Sequence, residues 1–545
     1  MFLFTSFAIG QERYDFWSPI PDSQLVLKLL DQMTPEELVG QVLLLGYPTD
    51  YLSTSYKNWI SKQHLGGLKI FGWNSGNLGI LTRTIREAQA LSQKTLNKIP
   101  LFIATDQEGG WVRHIRSQMA SSPGNLAIGA SGLPWDAFQT GYYLGLELRE
   151  LGVNMNFAPT VDIYTNHNAN VIGPRAFSDD PVTTAILAVA FYKGLDKTRV
   201  IATAKHFPGH GNSDEDSHGI LPKVSGSLDD LRKRELLPYN FLIRENIPSI
   251  MTGHLAFPEI TGKVEPASLS TFFATTLLKK EMGFQNLVIT DDLFMEGARY
   301  AGESMGVVCE RALMAGNDLL MISQTEAMQM EVYQYFLKQY KNNAVFQTRL
   351  KQAVTRNIMI KLRFLKKDNR VTLSPSSDGL ALRLPNPAGQ AFFLGQAARA
   401  VTVIHNKRIP FDNPQESILL VTPYPSLYSQ FQSRFSSTRA LYYEYDPFFG
   451  FSKAIRDQLI QLAPLYKKVV FNLVTPGSLS LLEALYPFRD KLTVVSFLTP
   501  IYLRETPWVQ SSIAVYGTGT QSQQAAVGAI IGDFVPSGRL PITLD

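Results

Sequence analysis

Eight short apolar runs, each separated from the next by enough chain for a helix, lie between residues 41 and 322 and constrain the fold. They are QVLLLG at 41–46, GGLKIFG at 66–72, LFIAT at 101–105, VNMNF at 153–157, VIATA at 200–204, SIMT at 249–252, LVIT at 287–290 and DLLMI at 318–322. Strand and helix in alternation predict an α/β fold with a parallel sheet and helical crossovers. Eight units predict closure into a (β/α)8 TIM-type barrel, because a closed sheet leaves no edge. Polar residues follow the runs rather than precede them: Asp106 after the third, Lys205 and His206 after the fifth, His254 after the sixth, Asp291 and Asp292 after the seventh. In a barrel these positions converge on the C-terminal face, where loops build the site.

The 545 residues are too many for one ordinary domain, and 45% hydrophobic against 18% charged supplies large cores. The expected spans are a lead-in at 1–30, the barrel at 31–366, a polar, proline-rich linker at 367–388 and a smaller α/β sandwich domain at 389–545. Five further runs in that last span, at 417–421, 440–443, 468–472, 492–496 and 512–516, suit an open parallel sheet. A net charge of +4, scattered among acids, does not indicate nucleic acid. Cys309 is the only cysteine, so an internal disulfide and a cysteine-rich metal site are excluded. No run of about eighteen apolar residues predicts a membrane span. The apolar start, MFLFTSFAIG, lacks a basic segment. It reads either as the tail of an export signal or as an apolar arm, which leaves the compartment open between exported or periplasmic and cytoplasmic.

The segment KHFPGHGNSDEDSH at 205–218 concentrates side chains of catalytic type where Pro208, Gly209 and Gly211 break regular structure. It reads as a strand end that hands polar groups to a loop. Asp216 and His218 stand two apart, so a loop can fold the carboxylate onto the imidazole and raise the basicity of its second nitrogen. Asp291, Asp292 and Asp106 end apolar runs, and a carboxylate there needs a partner, solvent or a chemical role. Glycoside hydrolysis supplies such a role, with one carboxylate as nucleophile and a second group as proton donor. One member of the 291–292 pair is expected to cap the following helix, and that task is assigned to Asp292. Lys205, Arg175 and Asp106 are candidates for holding sugar hydroxyls, and His254 for supporting the site. His206, His210 and His218 match no zinc-ligand spacing, so neither metal nor cofactor is expected.

Together these segments resemble glycoside hydrolase family 3, and within it the β-N-acetylglucosaminidase branch. The resemblance rests on KHFPGHG at 205–211 with Asp216 and His218, DQEGG at 106–110, VIGPRAF at 171–177, ELLPY at 235–239, MTGHLAFP at 251–258 and ITDDL at 289–293. AARAVTV at 397–403 and SGRLPIT at 537–543 look like the family's C-terminal α/β sandwich. The resemblance implies retaining hydrolysis through a covalent glycosyl-enzyme, with Asp291 as nucleophile and His218, assisted by Asp216, as general acid/base. It also implies that Asp106, Arg175, Lys205 and His206 bind the terminal N-acetylglucosamine. Trp111, Thr290 and Asn212 depart from the family's usual Arg, Ser and Asp, and none is a catalytic group.

The expected function is exo-hydrolysis of terminal β-linked N-acetylglucosamine from peptidoglycan fragments or chitooligosaccharides. The alternatives are a phosphorylase of the same glycosides, a family 3 β-glucosidase and a glycan-binding module without activity. The partner is a carbohydrate, and the oligomeric state stays open.

Overall fold

The computed structural model describes residues 13–169, 171–213, 219–299, 302–323, 325–367, 372–413, 415–444 and 453–544. Its first sheet contains β1 Leu43–Gly46, β2 Gly67–Ile70, β3 Phe102–Thr105, β4 Met155–Asn156, β5 Ile201–Phe207, β6 Ser249–Thr252, β7 Leu287–Thr290 and β8 Leu320–Ile322. Each strand pairs in parallel with the next, and β8 returns to β1 in the register Leu43↔Leu320. Between β7 and β8 a parallel bridge, Ile289↔Leu319, closes the ring. All eight strands fall on the runs expected from the sequence. They are buried throughout because both faces are covered, one by the barrel interior and one by the helices.

Two crossover helices flank β4: α1 Pro134–Glu150 before it and α2 Pro181–Thr198 after it. Proline opens both, and the Asp180 side chain accepts from the Thr183 N–H to cap α2. The helices meet backbone to backbone through glycine. A Cβ on Gly141 would lie 2.1 Å from the Phe191 carbonyl oxygen, and one on Gly194 would lie 2.0 Å from that of Phe138. Interior glycine is costly in a helix, and here the close approach is what it gains.

The second sheet has β9 Thr402–His405, β10 Ile418–Thr422, β11 Thr438–Tyr442, β12 Lys468–Leu473, β13 Leu492–Ser496 and β14 Ser512–Ala514. Its order is β9-β14-β13-β12-β10-β11. Five strands are parallel, as expected, but β9 is antiparallel to β14, so the sheet is mixed and one strand larger than the sequence suggested. Alternate residues feed two cores: Leu420, Val470 and Val495 on one face, Leu419, Val469 and Val494 on the other.

The two sheets are joined by α3 Pro387–Ala400, capped by Asn386. Its Phe393 belongs to the barrel core and its Ala397 to a core of the second sheet. Arg399 pairs with the buried Asp136 of α1 at 2.6 Å. Within the stretch expected to be a polar linker, Leu380 and Leu384 are buried against the barrel. The segment near residue 540 also ties the units together. Ser178 Oγ donates to the Pro541 carbonyl at 2.6 Å, and the Arg539 N–H donates to that of Ala130 at 2.9 Å. The sequence therefore laces the second unit to the loop that leaves β4.

Glu147 of α1 is buried and accepts from the backbone N–H of Ala120 and of Asn386. Burial raises its pKa to about 7 despite those two donors. The folded protein thus keeps a proton that the unfolded chain releases near 4.5. This contribution to stability is complete below that pH and is lost as pH rises towards 7. Thermal unfolding of Glu147→Gln should show a flatter profile than wild type across this interval. Gly141→Ala should lower the unfolding midpoint by the equivalent of roughly 1–3 kcal/mol. Gly76→Ala, where no heavy atom lies within 4 Å of the added carbon, should leave the midpoint unchanged.

Candidate active site

The C-terminal ends of the barrel strands open into a cavity of about 610 Å³, lined among others by Lys69, Phe71, Asp106, Arg175, Lys205, His206, Asp291 and Asp292. Asp106 directly follows β3 and Asp291 directly follows β7. Lys205 and His206 are not after β5, as the sequence suggested, but inside it, because the strand continues to Phe207. A bridge from Thr160 to Lys205 and the Val161 N–H to Lys205 carbonyl bond extend the pairing past the apolar run. Arg175 ends a 3-10 turn, Gly173–Arg175, in the long loop after β4.

Charge is packed tightly at the floor. Asp106 contacts the ammonium groups of Lys69 and Lys205, and Lys205 also reaches Glu108 at 2.6 Å. Arg175 grips Glu108 with two parallel bonds of 2.8 and 3.0 Å. Burial would raise the Asp106 pKa, but the ammonium groups of Lys205 and Lys69 hold it well below the ordinary carboxylate range. Glu108 is held at about 2, where burial is outweighed by Arg175 and Lys205. Lys205 is raised in turn: burial opposes its charge, while Asp106 and Glu108 favour it.

His206 is oriented from both sides. Its Nδ1 lies 2.7 Å from Asp162 Oδ2, and its Nε2 lies 3.3 Å from Arg175 Nη2. Arginine can only donate, so in the neutral ring Nε2 accepts and the Nδ1 proton faces the carboxylate. The other Asp162 oxygen accepts from the N–H groups of His206 and His210. Burial acts to raise the Asp162 pKa, yet His206 brings it to about 2.

The neighbouring carboxylates after β7 diverge. Burial would raise Asp291, but His206, His254, Lys205 and the Asp292 N–H outweigh it, so its pKa lies below the usual value. Asp292, also buried, is raised, because burial prevails over its hydrogen bonds. Asp291 Oδ2 faces the cavity 4.0 Å from His206 Nε2. Asp292 does not cap a helix, contrary to expectation. The chain after it turns rather than coils, and Asp292 Oδ1 accepts from the N–H groups of Phe294 and Ser323, pinning that turn to the end of β8. His254 is fully buried behind the pair. Its Nε2 donates to the Asp292 carbonyl at 3.0 Å, and its Nδ1 is hydrogen-bonded to Ser268 Oγ at 2.7 Å.

The cavity thus brings together Asp291, Asp106, Arg175, Lys205 and His206, with Asp292 on its wall and His254 behind. Asp216 and His218 lie outside the described residues. The base of their loop is set by Gly211, where a Cβ would meet the Ile163 carbonyl oxygen at 1.6 Å. The sequence reading missed Lys69, Glu108, Asp162 and His114. Lys69 had a signal, a lone cation inside an apolar run. Glu108 stood in a motif already singled out, without a task. Among the described residues no group of three or more His, Cys, Asp or Glu is arranged to hold a metal ion.

Comparison with known proteins agrees with this geometry. Residues 34–360 match the family described as "Glycosyl hydrolase family 3 N terminal domain". "Beta-hexosaminidase A" of Pseudoalteromonas piscicida is 32% identical over 385 residues, which cover 67% of this chain and 63% of that protein. "Beta-hexosaminidase" of Bordetella avium is 36% identical over 268 residues, 47% of this chain and 73% of its own length. A solved glycoside hydrolase family 3 β-N-acetylglucosaminidase from Paenibacillus sp. is 26% identical with a TM-score of 0.86, covering 94% of this chain and 99% of that one. With more than half of its length matched to the family and a barrel whose strand ends carry the family's motifs, the chain belongs to glycosyl hydrolase family 3.

Proposed function

We propose that the protein is a retaining exo-β-N-acetylglucosaminidase, with Asp291 as nucleophile and His218, assisted by Asp216, as general acid/base. The observation that carries this reading is the separation of the two adjacent carboxylates. Asp291 is ionised, open to the cavity and faced by positive groups, whereas Asp292 is committed to backbone N–H donors. Environments that push neighbouring titratable groups apart mark a division of roles. Relatives named β-hexosaminidase and β-N-acetylglucosaminidase support the choice of sugar.

The terminal sugar sits over Asp291, with its hydroxyls held by Asp106, Lys205 and Arg175 and His206 beside them. Asp291 Oδ2 attacks the anomeric carbon while the glycosidic oxygen takes a proton from His218 and leaves. The resulting neutral imidazole then removes a proton from water. That water attacks the anomeric carbon, the bond to Asp291 breaks, and the sugar departs with its original configuration. Asp216 accepts from the second ring nitrogen of His218, which keeps the proton-transferring nitrogen basic.

Wild type should release the aryl group from an aryl β-N-acetylglucosaminide, and Asp291→Ala should lose about 10⁴-fold or more in kcat. A fluorinated N-acetylglucosamine trap should add one sugar mass to the peptide containing Asp291. His218→Ala should lose about 10²–10⁴-fold. Formation of a sugar phosphate in added phosphate would make the protein a phosphorylase. Cleavage of an aryl β-glucoside instead would overturn the N-acetyl assignment, and no turnover of either would favour a binding module. The acidic limb of kcat/KM that reports Asp291 should lie below pH 3.8, on the side to which its surroundings move it.

A further inference from the structure

The cavity has an aromatic exit. Phe71 lines it, the Trp73 ring stacks on Phe71 at 4.4 Å with the planes 8° apart, and His114 stacks on Phe71 at 5.3 Å. Exposure rises along this wall, from 1% at the Lys69 side chain to 56% at Trp73. With the terminal sugar at the floor that holds Asp106 and Asp291, as proposed above, the exposed Trp73, stacked on Phe71 of the wall, lies outward of it.

Trp73 is held in place rather than left loose. Its indole N–H donates to the Tyr47 carbonyl at 2.9 Å, and Asn74 binds the same carbonyl at 3.1 Å while accepting from the Phe71 N–H at 2.8 Å. Ser75 Oγ donates to the His114 carbonyl at 2.8 Å, which ties this loop to the strand leaving the 107–113 hairpin. That hairpin presents a second exposed indole, Trp111, next to Val112 of the cavity wall. An indole with its polar edge satisfied and most of its surface in water offers an oriented apolar platform. A pyranose matches it, because one face of the ring shows mainly C–H groups.

Charge narrows the occupant. Lys69, Lys205 and Arg175 are each already paired with Asp106 or Glu108. His114, beside the platform, has its pKa lowered to about 4, first by burial and then by Lys69, so it is neutral in ordinary buffers. Glu296 adds a further carboxylate to the lining. An acidic substituent on the second sugar would find these lining cations already paired and Glu296 among the remaining carboxylates.

We infer that Trp73, stacked on Phe71, forms a leaving-group subsite for an uncharged pyranose, which makes β-linked N-acetylglucosamine oligomers the preferred substrates over fragments whose second sugar carries an acid. This rests on the N-acetylglucosaminidase reading. The test compares chitotriose with β-N-acetylglucosaminyl fluoride, whose leaving group is too small to reach Trp73. Trp73→Ala should lower the ratio of kcat/KM on chitotriose to kcat/KM on the fluoride by about tenfold, mainly through KM. Trp73→Phe should recover part of the loss. Wild type should also prefer chitobiose to the N-acetylglucosaminyl–N-acetylmuramic acid disaccharide by about tenfold. An unchanged ratio in Trp73→Ala, or a wild-type preference for the acidic disaccharide, overturns the subsite. Failure of wild type to hydrolyse the fluoride overturns the parent reading instead, which separates the two failures.

Discussion

Five charged side chains removed from water together, Lys69, Asp106, Lys205, Glu108 and Arg175, are what the site depends on. A buried ion alone costs several kcal/mol, so each must be paired, and deleting one leaves another exposed to that cost. Their arrangement is stoichiometric in a useful way, with three cations against two carboxylates. The surplus positive charge faces Asp291 and favours its ionised form. Residues from β2, β5, the turn after β3 and the loop after β4 are locked by one network, so the donors facing the cavity have already lost their freedom. Preorganised polarity of this kind strengthens interactions with a developing charge without reorganisation during the reaction.

Most of the architecture was legible because a parallel barrel leaves a simple trace. Strands buried on both faces read as unbroken apolar runs, and chemistry gathers at one end of each. The same rule drew attention to Asp106, Lys205, His206, His254 and Asp291. It was less informative where burial is incomplete. β9 has only four residues, half of them partly exposed at its centre, and follows α3 almost without a break, so no run announced it. The glycines between α1 and α2 carry no periodic signal, since their role is to be absent at a crossing.

The site residues that escaped notice did so for related reasons. Lys69 alternates with apolar neighbours and reads as the outward face of a strand, yet it points at Asp106. Asp162 lies beyond a two-residue strand, in a loop whose path could not be anticipated. Asp291 and Asp292 are chemically identical in sequence, and only the distribution of N–H donors tells them apart. The roles proposed for Asp216 and His218 rest on their sequence motif alone.

The bond from Ser178 to Pro541 joins residues 363 apart in sequence, and Ser178 lies three residues beyond Arg175. The loop that aims this arginine is therefore completed by chain made much later. At about 5–20 residues per second of synthesis, the interval is roughly 20–70 s. The barrel strands and most of the floor can assemble during that time, while the wall bearing Arg175 waits for its last contact. The order of synthesis thus separates the folding of the barrel from the maturation of the wall that carries Arg175, and delays a finished pocket until the second unit is in place.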